Sequence, residues 1–191
     1  MKKQEIIDII PSKKIVVGDK NAPVTILEYG DYESEECAQS YEVVARLLDV
    51  YAGQVKFTFR HFPMLKIHQK AHKAAEAAIG AAQEGKFWEM HGLLFANRRN
   101  LGVISLKQYA REAGVINKKF LDELINGTYG LYVQDDLKDG IQLGITKVPA
   151  FFINGVKFAQ TPNFKNLNGY IKELLAKELP AKKDVNSKAA A

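Results

Sequence analysis

Hydrophobic and polar positions change their period several times along the chain. Val24 to Tyr29 is a short β-rich run between the turn Gly18-Asp19-Lys20-Asn21-Ala22-Pro23 and Gly30-Asp31, which predicts a buried strand. After Ser34 the period becomes helical: Cys37, Tyr41, Val44, Leu47, Leu48 and Tyr51 fall on one face, and Gly53 is placed to close the helix. Val55 to Phe59 alternates again and predicts a second strand. Strand, helix, strand over this span is a βαβ unit, whose parallel strands need a right-handed crossover.

The middle of the chain reads differently. Ala71 to Glu84 is alanine-rich and strongly helical, and Phe87 to Ala96, Ser105 to Ala113, Lys118 to Asn126 and Tyr129 to Leu143 follow with helical spacing. Gly85, Gly102 and Gly114 punctuate them, and Ser105 and Asn117 are N-cap residue types. The β pattern then resumes. Pro149 to Ile153 predicts a strand, Asn154-Gly155 is a two-residue hairpin signal, and Val156 to Ala159 is the partner strand. Phe164 to Leu179 predicts a closing helix ended by Pro180. The elements thus run βαβ, helices, ββα. The expected class is α/β. The expected division is an N-terminal extension at 1–14, an α/β domain from 15–63 and 144–179, an all-helical insertion at 64–143 and a disordered tail at 180–191.

Composition narrows the function classes. The net charge of +5 comes partly from terminal lysines, Lys2, Lys3, Lys13 and Lys14 at one end and Lys182, Lys183 and Lys188 at the other. Such runs read as solvated tails. No aromatic series alternates with the basic residues, so no single-strand stacking platform is visible and no nucleic-acid partner is expected. No apolar stretch reaches the length of a membrane span, so no membrane partner is expected. The first twenty residues lack the apolar run of a signal peptide, which favours a cytoplasmic protein; a mature periplasmic or secreted form whose leader had been removed would read the same. The single cysteine excludes an intrachain disulfide.

Several stretches together resemble the DsbA-like family of the thioredoxin superfamily. They are Gly18-Asp19 with Ala22-Pro23-Val24-Thr25, Tyr29-Gly30-Asp31-Tyr32-Glu33, Arg60-His61-Phe62-Pro63, Gly85-Lys86-Phe87-Trp88-Glu89-Met90-His91 with Leu94-Phe95-Ala96-Asn97, and Gly144 to Gly155. The resemblance implies a thioredoxin-like fold with an inserted all-helical domain. The family's reactive Cys-x-x-Cys falls on Ser34-Glu35-Glu36-Cys37. Its exposed nucleophilic cysteine is here Ser34, and only the second cysteine, Cys37, remains. The resemblance also implies a cis bond at Val148-Pro149 that faces this centre and contacts substrate.

Chemistry sets the expectations for this site. Thiol–disulfide exchange needs a thiolate to attack and a second thiol to resolve the mixed disulfide. A serine hydroxyl without an activating base does neither. Ser34 reads either as a plain N-cap or as a hydroxyl that touches substrate. Cys37 reads either as the remaining catalytic thiol or as an inert buried side chain. The helix N-terminus favours its thiolate, whereas Asp31, Glu33 and the site-modulating pair Glu35 and Glu36 disfavour it. His68 and His72 are four apart, but no further ligand is fixed by spacing, so no metal is expected. His61, His91, Phe87 and Trp88 read as packing and hydrogen-bonding residues.

Three functions remain open. The first is a divergent thiol–disulfide oxidoreductase with a monothiol site, for which ordinary dithiol exchange is not expected. Its partners would be polypeptide thiols or disulfides, or a small thiol, and no cofactor is expected unless glutathione serves as the resolving thiol. The second is a glutathione-binding transferase or isomerase of the kappa-like type, using the Ser34 hydroxyl to hold a thiolate. The third is a non-catalytic peptide-binding module that pairs an extended chain beside Pro149.

Overall fold

A computed structural model describes residues 9–178. The tail expected at 180–191 and the first part of the N-terminal extension lie outside the described residues. Five strands and seven helices follow in chain order: β1 (Val17–Gly18), β2 (Val24–Gly30), α1 (Glu35–Val50), β3 (Val55–His61), α2 (Ala71–Ala82), α3 (Phe87–Ala96), α4 (Val103–Glu112), α5 (Phe120–Ile125), α6 (Gly130–Gln142), β4 (Ala150–Ile153), β5 (Val156–Lys157) and α7 (Phe164–Glu178). The strands form one sheet in the order β1-β3-β2-β4-β5. β2 and β3 are parallel, as the βαβ pattern predicts, and the other pairs are antiparallel.

Alternation along the strands splits the interior in two. Val24 and Ile26 of β2, Phe57 and Phe59 of β3, and Phe151 and Ile153 of β4 join one large core with α1, α2 and α3. Tyr29, Ala150 and Phe152 point the other way and meet Phe62 and Ile145. Period-two side chains make this outcome obligatory once both faces are covered. Helix α2 is the hub of the helical part and touches α3, α4, α5 and α6. Its alanines let neighbours approach closely. At Gly80 even a Cβ would come within 2.9 Å of the Phe120 and Tyr129 rings.

The hairpin after β4 is as the sequence signals. Asn154 and Gly155 both have positive φ, 48° and 79°, the requirement of a type I′ turn. Asn154 Oδ1 also accepts the Thr25 N–H at 2.7 Å, which ties the turn to β2.

Four local expectations differ from the structure. β1 was not expected; it is two residues long and holds by backbone pairing with β3. Ser105 does not cap α4, which begins earlier behind Gly102; its hydroxyl instead donates to Asn100 Oδ1 at 3.0 Å. Asn117 is not the N-cap of α5; its Oδ1 takes the Lys119 N–H at 2.9 Å, a turn two residues ahead of the helix. β5 stops at Lys157, and residues 158–163 are loop. Part of the expected N-terminal extension is docked. Ile10 N–H donates to Gln83 Oε1 at 2.9 Å, and the buried Ser12 hydroxyl donates to Asp136.

Candidate functional site

The parallel strands β2 and β3 end side by side, and the chain leaving β2 turns at Asp31 into α1. Ser34 caps that helix with extended backbone angles, and its Oγ accepts the Cys37 N–H at 3.2 Å. The same hydroxyl donates to Glu36 Oε2 at 3.1 Å. Its one proton and its capping lone pair are therefore both engaged.

Cys37 is 0% exposed. Its Sγ accepts the Asp31 N–H at 3.4 Å. Gly30 makes this closure feasible: a Cβ there would lie 2.5 Å from the Phe59 ring and 3.5 Å from the sulfur. Burial pushes the thiol well above its ordinary range, and the nearby Glu28 carboxyl raises it further. The hydrogen bonds from Ser34 and Asp31 pull the other way and lose. Of the acidic neighbours expected to oppose the thiolate, Asp31 adds a smaller push in the same direction. Glu35 turns away to Arg98 at 2.8 Å, and Glu36 is exposed, so water screens both carboxylates.

Glu28 was not singled out from the sequence. It follows Val24 and Ile26 in the inward phase of β2, and an acid at an inward strand position was the available signal. It accepts the Ser40 hydroxyl at 2.6 Å. Burial raises its pKa to about 8, with the Ser40 bond opposing, so it is mostly a neutral acid at pH 7.

Asp31 is a second feature that sequence alone did not reveal. Its buried carboxylate accepts the Glu33 N–H at 2.7 Å and the Met64 N–H at 2.8 Å, and meets His68 Nδ1 at 2.9 Å. A carboxylate only accepts, so Nδ1 carries the proton in this contact. These bonds stitch the loop after β3 onto the start of α1. Nothing periodic in residues 62–70 announces that contact.

A groove of ≈ 790 Å³ opens along this seam. Ser34, Glu36, His68, Val148 and Pro149 line it, and the Val148–Pro149 bond is cis. Val43, Met64, Ile67, Phe151, Phe158 and Pro162 give it an apolar wall. Of the residues expected at the site, the structure thus gathers Ser34, Glu36, Val148 and Pro149 on one groove. It sets Cys37 behind that surface, and Glu35 outside it.

The other histidines have structural partners. His91 shares a 2.9 Å hydrogen bond with the Tyr32 hydroxyl, and burial, then the neighbouring His61, lowers its pKa to about 3. His61 Nδ1 lies 3.0 Å from Asp136 Oδ2. Burial alone would raise Asp136, but His61, Arg60 and Ser12 outweigh it and hold the carboxyl below its ordinary value. His68 and His72 face different carboxylates, Asp31 and Glu76. Among the described residues no three His, Cys, Asp or Glu side chains are placed to hold a metal.

A sheet with one parallel pair, helices between β3 and β4, and a helix N-terminus facing a cis-proline define a thioredoxin fold of the DsbA-like arrangement. A family model described as Thioredoxin matches residues 11–173, and the chain belongs to that family. Solved structures agree on the fold. Oxidised BdbD from Bacillus subtilis superposes with a TM-score of 0.78 at 23% identity, over 87% of this chain and 96% of that one. Alpha-DsbA1 from Wolbachia pipientis gives 0.72 at 23%, over 85% and 90%. The catalytic domain of ScsC from Proteus mirabilis gives 0.71 at 20%, over 84% and 88%. Among curated relatives, Na(+)/H(+) antiporter NhaA 1 of Salinispora arenicola is 32% identical over 172 residues, 90% of this chain and 26% of the relative. The protein of that name from Mycobacterium sp. is 32% identical over 147 residues, 76% and 24%. The chain therefore spans about a quarter of the length of the curated relatives it matches. Within the described residues no helix is long and apolar enough to cross a membrane.

Proposed function

We propose that this DsbA-like protein recognises polypeptide segments in the groove beside Ser34 and Val148–Pro149 and runs no dithiol exchange cycle. The observation that carries the reading is the contrast between an open groove and a sealed thiol. The groove is large enough for several side chains. Cys37 does not line it, and its thiolate is disfavoured by burial. A client disulfide in the groove meets no thiolate where relatives with Cys-x-x-Cys would present one, because Ser34 stands at that position. Among the described residues no backbone hydrogen bond involves Val148. Its N–H and C=O are free to pair an extended chain.

The monothiol oxidoreductase reading needs Cys37 to be uncovered before it reacts, and an external thiol to release the product. The glutathione reading needs the Ser34 hydroxyl to donate to a thiolate, but that proton is directed at Glu36. A sealed single thiol is also indifferent to redox poise, so the reading holds in an oxidising or a reducing compartment alike.

Two measurements on the same preparation test it. Anisotropy of a labelled, reduced and alkylated unfolded polypeptide should show saturable binding. Insulin reduction by dithiothreitol should not be accelerated by wild type, while Ser34→Cys should recover acceleration. Acceleration by wild type, or absence of any polypeptide binding, would overturn the reading.

A further inference from the structure

The groove's charges are unevenly placed. Glu36 is the one carboxylate lining it among the described residues, and it sits at the α1 end, engaged by the Ser34 hydroxyl. Two ammonium groups belong to the strand side. Lys147 immediately precedes Val148, and Lys157 stands opposite Phe152 in the β4–β5 register. Both are exposed, and among the described residues neither has a carboxylate within ion-pair distance. Lys157 Nζ donates to the Gly144 carbonyl at 3.3 Å. That bond draws its charge back toward the loop that carries Lys147 while leaving further N–H donors unused. The result is a pair of unneutralised cations beside the apolar wall of Phe151 and Phe158, next to the free backbone groups of Val148.

We infer that the occupant is an extended polypeptide segment in which apolar side chains are followed by acidic ones, with Lys147 and Lys157 setting the preference for acid. This rests on the polypeptide-binding reading above and adds its substrate class. An extended chain pairing at Val148 lies beside Lys147, the next residue in sequence, whereas Glu36 at the start of α1 disfavours acid there, so its acidic flank has one favourable side. A basic flank on that side meets two like charges, and like-charge juxtaposition is what excludes wrong partners at an interface. Apolar burial on Met64, Ile67 and Phe158 supplies sequence-tolerant attraction, while the lysines select among clients.

The test uses three labelled unstructured peptides with the same apolar stretch and acidic, neutral or basic flanks, titrated with the full chain and with Lys147→Gln/Lys157→Gln. Exposed charge pairs contribute a few-fold each, so the acidic peptide should bind about fivefold to tenfold more tightly than the neutral one. The preference should shrink at high salt. It should vanish in the double variant, which should bind the acidic and neutral peptides alike. Lys138→Gln, in α6 and outside the groove, should leave all three affinities as they are. If all three peptides bind equally, the charge inference falls while polypeptide binding stands; if none binds, both fall. Displacement of the acidic peptide by glutathione as effective as by unlabelled peptide would identify a small acidic thiol as the occupant and overturn the inference.

Discussion

The Ser34 hydroxyl oxygen accepts the backbone N–H of Cys37 at 3.2 Å. Ser34 is thus spent on starting the helix that carries the thiol of Cys37. A cap satisfies one of the N–H groups that every helix leaves unpaired in its first turn. Here it also closes the surface over the sulfur, since Ser34 itself is only 3% exposed.

Ser34→Ala should lower stability by about 1 kcal/mol, because the Cys37 N–H loses its partner in a site shut off from water. Ser34→Gly should cost only a few tenths, as glycine suits the N-cap backbone. Urea unfolding midpoints of the two variants check this. Equal stability of wild type and the alanine variant would show that the cap carries no weight.

Gly30→Ala should destabilise by roughly 1–3 kcal/mol through overpacking. Its Cβ would fall 2.5 and 2.6 Å from Phe59 ring atoms. That ring has little room to move, since Tyr32, His91 and Phe95 surround it. Shortening the obstructing side chain should relieve part of the damage. Gly30→Ala/Phe59→Leu should thus lose less than the sum of the two single losses, read from thermal or urea unfolding. Strict additivity would argue against the clash.

How much of this was legible in the sequence depends on whether a feature is local. The shift between period 2 and period 3.6 reports β2, α1, β3 and the later helices because each buries one continuous face. Ser34 is recognisable as a cap because it directly precedes a helical period. β1 leaves no trace, since two residues carry no period and its pairing is made by backbone. The Ser105 cap was misplaced because α4 starts one turn earlier, where the extended backbone of Gly102 permits it. The acidic run beside Cys37 is an incomplete guide for a different reason. Neighbours in sequence such as Glu35 and Glu36 point into water, whereas Glu28, in the preceding strand, shares the thiol's dry interior. The groove and the Asp31–His68 contact join segments with no common period, so only the folded chain brings them into view.

Asp31→Asn should cost about 1–3 kcal/mol and loosen the loop after β3. The amide keeps one acceptor oxygen, but its NH2 then faces at least one of the donors Glu33 N–H, Met64 N–H and His68 Nδ1. His68→Ala should cost less, because its ring is 24% exposed and both backbone donors keep their carboxylate. Cleavage of the 62–70 segment by a low dose of protease should be faster in Asp31→Asn than in His68→Ala. Indistinguishable cleavage in both variants would mean that the backbone donors do not hold the loop.

The last prediction is a stability profile with one descending window between pH 6.5 and about 8. Glu28 rises from an ordinary 4.5 to about 8 in the fold. Between those values the folded state keeps a proton that the unfolded chain has lost, so stability falls as pH rises, by about 1.4 kcal/mol per unit. His91 has the opposite sign. Its pKa drops from 6.5 to about 3, so between those values the unfolded chain holds the extra proton and stability rises with pH. The two slopes cancel between 4.5 and 6.5, which should appear as a plateau. Below 4.5 His91 is joined by Glu76 and Glu36, whose carboxyls are held below their ordinary 4.5, and at lower pH by Asp136, held below its ordinary 3.8, and stability drops as acid is added. From 6.5 to 8 Glu28 is left alone, since Cys37 and Tyr32 depart upward from 9.0 and 10.0 and make no difference there. The loss across that window should be about 2 kcal/mol. Glu28→Gln keeps an acceptor for the Ser40 hydroxyl but has no proton to lose, so its urea midpoint should stay level from pH 6.5 to 8 while the acid limb is unchanged. A wild-type profile that is flat above 6.5, or a glutamine variant that still declines, would show that Glu28 does not titrate in this way.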